Sequence, residues 1–148
     1  MRILAIDTAL EACSAAVLET GRAAVIAAET RVMARGHAEA LMPMIARVMD
    51  AAHSEFAELD RIAVTVGPGS FTGLRVGISA ARGIALAAGK PAIGLTTLAG
   101  FAAPHISADD TRPVAEKTFL ANIDFPGTRK YVDSIIARYQ FYKRRGRM

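Results

Sequence analysis

The stretch Gly67-Pro68-Gly69-Ser70-Phe71-Thr72-Gly73-Leu74-Arg75-Val76-Gly77 lies between an apolar run and a longer run with helical spacing. The preceding residues, Ile62–Val66, predict a short buried strand, and the glycines let the backbone turn sharply after it. Either Ser70 or Thr72 can cap the helix that follows. The stretch therefore predicts a strand, a tight turn and a helix over 72–88, which is the repeating unit of an α/β fold.

The same glycines resemble nucleotide-binding loops, which hold phosphate on free N–H groups at a helix N-terminus. A dinucleotide loop requires G-x-G-x-x-G, but here the third glycine, Gly73, lies one residue late. A Walker loop requires G-K-[ST], and no lysine occurs before Lys90. Ser70 also lacks the G-x-S-x-G context of a serine hydrolase, so it is interpreted as a helix cap. The pattern predicts neither standard nucleotide loop.

Small residues recur along one face of the predicted helix. Gly73, Gly77 and Ala81 are spaced at i, i+4 and i+8, and Ala80 and Ala88 widen this face. A face almost bare of side chains lets another element approach closely. Two interpretations are open, close packing on the chain's own sheet and close packing against a partner. The residues expected to face the core are Leu74, Ile78 and Leu86, and Gly89 is the expected stop signal.

The rest of the N-terminal part predicts a mixed sheet covered by helices. Hydrophobic alternation gives three strands in a meander, and helical spacing then alternates with short apolar runs. The resulting order is β-β-β-α-β-α-β-α, which favours an α/β class with about five strands. The predicted strands are Arg2–Thr8, Cys13–Glu19, Ala23–Arg31, 61–66 and 91–95, with helices over 37–52 and 72–88 and a short one from Thr96 or Thr97.

Five motifs in this order resemble the N-terminal lobe of the TsaB (YeaZ) family, also called glycoprotease-like. They are Ile3-Leu4-Ala5-Ile6-Asp7-Thr8, Cys13-Ser14-Ala15-Ala16-Val17, His37-Ala38-Glu39-Ala40-Leu41-Met42-Pro43, the Gly67–Gly77 turn and Gly94-Leu95-Thr96-Thr97-Leu98. The resemblance implies an actin/Hsp70-like (ASKHA, RNase H-like) lobe and a role in threonylcarbamoyladenosine modification of tRNA. It covers roughly residues 1–113.

The resemblance also implies partners. The family acts as a non-catalytic subunit that supports a TsaD-type transferase, possibly together with a TsaE-type ATPase, and a homodimer is expected in isolation. Helices equivalent to 37–52 and 72–88 form the subunit interface in the family. The residues carried over to a partner interface are His37, Leu41, Met44, Ile45, Gly73, Gly77, Ala80 and Ala81.

No catalytic, metal or cofactor site is predicted, although Asp7 is a weak candidate for cofactor binding. In actin-like folds an acidic residue on the first strand faces Mg-nucleotide, but Asp7 is otherwise an ordinary turn former. The related TsaD has a His-x-x-x-His metal pair whose positions fall here on Thr97 and Phe101, and Phe cannot ligate a metal. The alternative classes are a glycoprotease-like hydrolase or a small ATPase.

The chain is expected to be cytoplasmic, with no membrane association. Apolar residues make up 52% of 148, enough for one core. The sole cysteine, Cys13, lies on a predicted strand and is expected to be a small buried apolar group. Asp7 interrupts the apolar N-terminal run, so neither a signal peptide nor an anchor is expected. His37, His53 and His105 lie too far apart in sequence to indicate a metal site.

The C-terminal part differs from the rest. Residues 1–113 are interpreted as the lobe and 114–148 as an atypical tail, with the family's second lobe missing. Residues 129–148 hold seven Lys/Arg and one Asp, and 128–143 predict a basic amphipathic helix. This helix could contact tRNA weakly, pack on the lobe with a solvated basic end, or be foreign, since 125–132 loosely resemble the C-terminus of soluble lytic transglycosylases. A truncated or chimeric product without function is the remaining alternative.

Overall fold

The computed structural model describes residues 1–20 and 24–102, so the predicted C-terminal helix and His105 lie outside the described residues. Five strands form one mixed sheet with the order β3-β2-β1-β4-β5. The first three strands are antiparallel neighbours, and β4 and β5 run parallel to β1. The strands are β1 (Arg2–Asp7), β2 (Ala12–Glu19), β3 (Ala24–Val32), β4 (Arg61–Thr65) and β5 (Ala92–Leu95).

Three α-helices connect or follow these strands, in the order that the sequence predicted. They are α1 (His37–Ala51), α2 (Phe71–Ala88) and α3 (Thr97–Ala102). A 3-10 turn, Phe56–Glu58, precedes β4 and was not predicted. Its Glu55 and Glu58 form a reciprocal capping box, a local signal that the hydrophobic pattern does not carry. The mixed sheet of five strands with helices is confirmed.

The core lies between one face of the sheet and helices α1 and α2. Strand residues alternate, so Leu4 and Ile6 of β1 are buried while Ala5 and Asp7 lie on the opposite face. Cys13 of β2 is fully buried among these apolar side chains, as expected. The buried core consists of Leu4, Ile6, Cys13, Ala15, Val17, Leu41, Met44, Ile45, Val48, Met49, Ala52, Leu59, Ile62, Val64, Ala81 and Ala85.

The ends of α2 follow the sequence signals. Ser70 is its N-cap, and the Ser70 hydroxyl accepts a hydrogen bond of 3.3 Å from the backbone N–H of Gly73. Gly89 ends the helix with φ 64°, a left-handed conformation that favours glycine. The prediction that Leu86 faces the core is wrong, because its side chain is 85% exposed and Ala85 is buried instead.

Candidate functional site

The small-residue face of α2 packs on the end of β1. Thr8, which is fully buried, donates a hydrogen bond of 2.7 Å from its hydroxyl to the carbonyl oxygen of Gly73. A Cβ added at Gly73 would collide with the Thr8 carbonyl oxygen, and one added at Gly77 would collide with the Thr8 hydroxyl. Glycine is therefore required at both positions by contacts inside this chain.

The glycine-rich turn before α2 is part of the same packing. A Cβ at Gly69 would collide with the carbonyl oxygen of Ala9, and the N–H of Ser70 donates to that oxygen at 2.6 Å. The N–H of Gly73 is occupied by the Ser70 cap. The turn thus fastens α2 to the residues that follow β1, and these N–H groups are not available to a phosphate.

Seven of the eight residues that were assigned to a partner interface are buried inside the chain. On α2, Gly73, Gly77 and Ala81 are buried against the chain's own sheet, and Ala80 packs partly buried against the core. On α1, Leu41, Met44 and Ile45 have at most 1% exposure. His37 is buried as well, and one of its ring nitrogens lies 3.2 Å from the carbonyl oxygen of Leu10. A side chain that is buried inside the chain cannot form the contact surface for another protein, so any interface on these helices must use their other faces.

The outward faces of the two helices carry a different set of residues. On α1, Met42 is 48% exposed and Ala46 is exposed. On α2, Ser79, Gly83 and Ala87 are exposed and repeat the i, i+4, i+8 spacing of small residues. We call these five residues the outer helical surface. Sequence reasoning missed it because the same spacing occurs on two faces of α2, and only burial distinguishes them.

An aromatic and a cation lie together at the start of α2. The guanidinium carbon of Arg75 is 3.8 Å from the centre of the Phe71 ring, and Phe71 is 68% exposed. A cation over an aromatic face is attracted by the ring quadrupole. The Arg75 guanidinium therefore covers part of the exposed Phe71 ring.

Asp7 lies on the face of the sheet opposite α1 and α2. One carboxylate oxygen accepts hydrogen bonds from the N–H of Ala9 at 2.9 Å and from the hydroxyl of Thr65 at 2.8 Å. Ser14, its neighbour on β2, accepts from Thr30 of β3 at 3.1 Å. These contacts give Asp7 a structural role at the end of β1, since its carboxylate closes a turn and joins two strands. Whether it binds a cofactor stays a prediction.

The positions compared with the TsaD metal pair do not form a ligand set. Thr97 is buried, its N–H donates to the carbonyl oxygen of Gly67 at 2.9 Å, and its hydroxyl has no hydrogen-bond partner among the described residues. Phe101 offers no donor atom. Within residues 1–20 and 24–102, no group of three His, Cys, Asp or Glu side chains could hold a metal ion. The residues present therefore do not fit a metal centre of that kind.

Burial and hydrogen bonding shift the pKa values of Cys13 and Glu29. Burial, with a smaller contribution from the charge of Asp7, raises the pKa of the Cys13 thiol. At the surface, the guanidinium of Arg47 donates two hydrogen bonds to Glu29, of 2.7 and 2.9 Å, and these bonds lower the pKa of Glu29. The ion pair between Arg47 and Glu29 ties α1 to β3.

Comparisons with known proteins agree with this architecture. A family model described as "TsaD: tRNA N6-adenosine threonylcarbamoyltransferase" matches residues 24–116. The tRNA threonylcarbamoyladenosine biosynthesis protein TsaB of Escherichia coli (strain K12) is 42% identical over 98 residues, which are 66% of this chain and 41% of that protein. A tRNA N6-adenosine threonylcarbamoyltransferase of Erythrobacter litoralis (strain HTCC2594) is 49% identical over 78 residues, 53% of this chain and 23% of that protein.

Among solved structures, YeaZ from Pseudomonas aeruginosa is 40% identical, with a TM-score of 0.63, and the match covers 68% of this chain and 46% of that one. The fold is therefore that of an actin/Hsp70-like lobe. The chain belongs to the TsaB/YeaZ family, whose curated members are named for tRNA threonylcarbamoyladenosine biosynthesis.

The match covers only part of each relative, so the activity and the partners of a whole relative come to this chain only as a proposal. The matched part of the chain spans less than half the length of the E. coli and P. aeruginosa relatives. Across the part of the chain that the structure describes, no helix has the length and apolar character that crossing a membrane requires.

Proposed function

We propose that this chain is a non-catalytic partner subunit in threonylcarbamoyladenosine modification of tRNA, and that it supports a TsaD-type transferase. The observation that carries the proposal is the outer helical surface. Two adjacent helices of a TsaB/YeaZ lobe expose small side chains together with Met42, while their opposite faces are buried in the core. Such a surface is suited to close contact with helices of another subunit.

The chemistry of the helices supports a packed interface. Ala46, Ser79 and Gly83 add little bulk, so a partner helix could approach the backbone at short range. Met42 supplies a flexible apolar side chain of the kind that adapts to a partner surface. At Gly83, a Cβ would meet no atom within 4 Å, so nothing inside the described part of the chain fills that space.

The absence of catalysis is part of the proposal. The residues at the TsaD metal positions, Thr97 and Phe101, lack a ligand set, and Ser70 is engaged as a helix cap. The Erythrobacter litoralis relative, which is named a transferase, aligns over only 23% of its own length, compared with 41% for the E. coli TsaB. A transferase name on that relative therefore transfers less to this chain than the TsaB names do.

Three further assignments belong to the same proposal. In isolation the chain pairs with itself through the outer helical surface, and the transferase competes for that surface. A TsaE-type ATPase joins the complex through the transferase. Contact with tRNA is indirect, or weak and salt-sensitive, through the basic residues of 129–148, because such contacts come mainly from phosphates.

Reconstitution of the modification reaction tests the proposal. The full chain is added to the TsaD-type transferase of the same genome with the remaining components, and threonylcarbamoyladenosine in tRNA is measured by mass spectrometry of nucleosides. We expect product only when both proteins are present, and none from the chain alone. Product formed by the chain without the transferase would contradict the partner role. Product formed equally well by the transferase without the chain would contradict it too.

A further inference from the structure

A groove lies between the C-terminal half of α2 and the start of β5. It has a volume of about 540 Å³, and its lining includes Arg82, Gly83, Ala85, Leu86, Lys90 and Ala92. Leu86 is 85% exposed, and the other uncharged members are glycine or alanine. The groove is therefore apolar along its length and carries two cations.

Neither cation of the groove is paired with an acidic side chain among the described residues. No ion pair of Arg82 or Lys90 occurs among the described residues, unlike Arg2 and Arg47, which pair with Glu58 and Glu29. The sequence explains why. Residues 61–108 contain four Lys/Arg and no Asp or Glu, whereas residues 1–60 contain five Arg and nine Asp/Glu. The part of the chain that forms α2 and β5 is thus net positive, and the part that forms β1, β2, β3 and α1 is net negative.

Gly83 and Gly89 contribute no side chain to the groove, so the helix backbone is open there. A Cβ added at either position would meet nothing within 4 Å. Gly89 is explained by its φ of 64°, but Gly83 lies inside α2 and no contact of the described chain requires it. Glycine in an exposed helix interior costs about 1 kcal/mol relative to alanine. Gly83 also belongs to the outer helical surface, so its openness shows space at the groove without identifying the occupant.

We propose that this groove binds an acidic amphipathic segment of a partner protein. Carboxylates of the segment pair with Arg82 and Lys90, and an apolar side chain between them packs on Leu86. Charge complementarity favours this occupant, because the groove offers, over an apolar floor, two cations that pair with no acidic side chain of the described residues. Nucleic acid is disfavoured by the same lining, which contains no aromatic side chain for base stacking. The proposal goes beyond the partner role and does not require the transferase to be the protein that binds here.

Fluorescence anisotropy with defined probes tests this proposal on the full chain. The probes are a labelled helical peptide of glutamate and leucine, the same peptide with alanine for leucine, one with lysine for glutamate, and a single-stranded oligouridylate. We expect the glutamate/leucine peptide to bind, the other two peptides to bind at least about tenfold more weakly, and Arg82→Glu with Lys90→Glu to weaken the first peptide about tenfold or more.

A charge control and a variant of the exposed leucine accompany the double reversal. Arg31→Glu with Arg35→Glu, at exposed positions on and just after β3, changes the net charge by the same amount as the double reversal and is expected to leave binding unchanged, which separates the groove cations from a general effect of net charge. Leu86→Ser removes an exposed side chain without touching the core and is expected to weaken the peptide severalfold. Peptide binding that survives the double reversal contradicts the proposal, as does oligouridylate binding that the reversal abolishes. Self-association in sedimentation that is lost with the reversal would make a second copy the occupant and overturn it.

Discussion

The hydroxyl of Thr8 lies 2.7 Å from the carbonyl oxygen of Gly73, and this contact joins the end of β1 to the first turn of α2. The same threonine lies where a side chain at Gly77 would have to be. One buried residue thus explains two of the glycines that dominate the sequence. The small-residue face of α2 is an internal packing surface, and the outer helical surface is the part left for other proteins.

Alanine substitutions at two glycines of α2 are expected to change stability in opposite directions. Gly77→Ala forces Thr8 to move and should lower the free energy of unfolding by about 1–3 kcal/mol. Gly83→Ala adds a methyl group in open space and should raise it by up to about 1 kcal/mol. Urea unfolding followed by circular dichroism measures both. Equal stability of the two variants would show that the inner face is not packed as described.

Replacement of the Thr8 hydroxyl tests the hydrogen bond itself. Thr8→Val keeps the shape of the side chain but removes the donor to Gly73, so we expect a loss of about 1–3 kcal/mol from a buried acceptor left with poorer hydrogen bonding. Thr72→Val, the same substitution at an exposed position of α2, should change stability by no more than about 0.5 kcal/mol. Thermal unfolding measures both variants. Indistinguishable melting temperatures of the two variants would show that the hydrogen bond from Thr8 to Gly73 does not contribute measurably to stability.

The sequence predicted the fold well and the surface poorly, for reasons visible in α2. Turn residues, capping and hydrophobic period are local signals, so the order of strands and helices followed from them. The direction in which a glycine face points is not local. It depends on Thr8, which lies 65 residues before Gly73 and has no unusual sequence context. Leu86 shows the same limit, because its helical spacing suited the core while the buried face of α2 follows Gly73, Gly77, Ala81 and Ala85.

The reactivity of Cys13 provides a test of burial on β2. Because burial raises the pKa of this thiol, little thiolate forms at neutral pH and a reagent can reach it only when the structure opens. We expect labelling by a thiol reagent to be slower in the native protein than in denaturant by about a hundredfold or more. The chain has one cysteine, so the signal needs no assignment. Rapid labelling of the native protein would place Cys13 outside the core.

The ion pair between Glu29 and Arg47 predicts a pH dependence with a defined sign. The pKa of Glu29 is lowered in the folded protein, mainly by hydrogen bonds from Arg47. Its contribution to stability is therefore present above the unfolded pKa, near 4.5, and is lost as the pH falls through the lower folded value. Carboxyl carbon shifts in NMR should show this, and Arg47→Gln should return the pKa of Glu29 to its usual range. Titration of Glu29 together with the exposed glutamates would contradict the pairing.

The affinity of the full chain for the TsaD-type transferase of its own genome, measured by isothermal titration calorimetry, tests the central claim most directly. We predict a complex of one chain with one transferase, weakened about tenfold or more by Met42→Glu with Ala46→Glu on the outer helical surface. Ala24→Glu with Ala57→Glu adds the same charge at exposed positions outside that surface and should leave the affinity unchanged. A correctly folded chain that does not bind, or an outer-surface variant that binds like the wild type, would contradict the account.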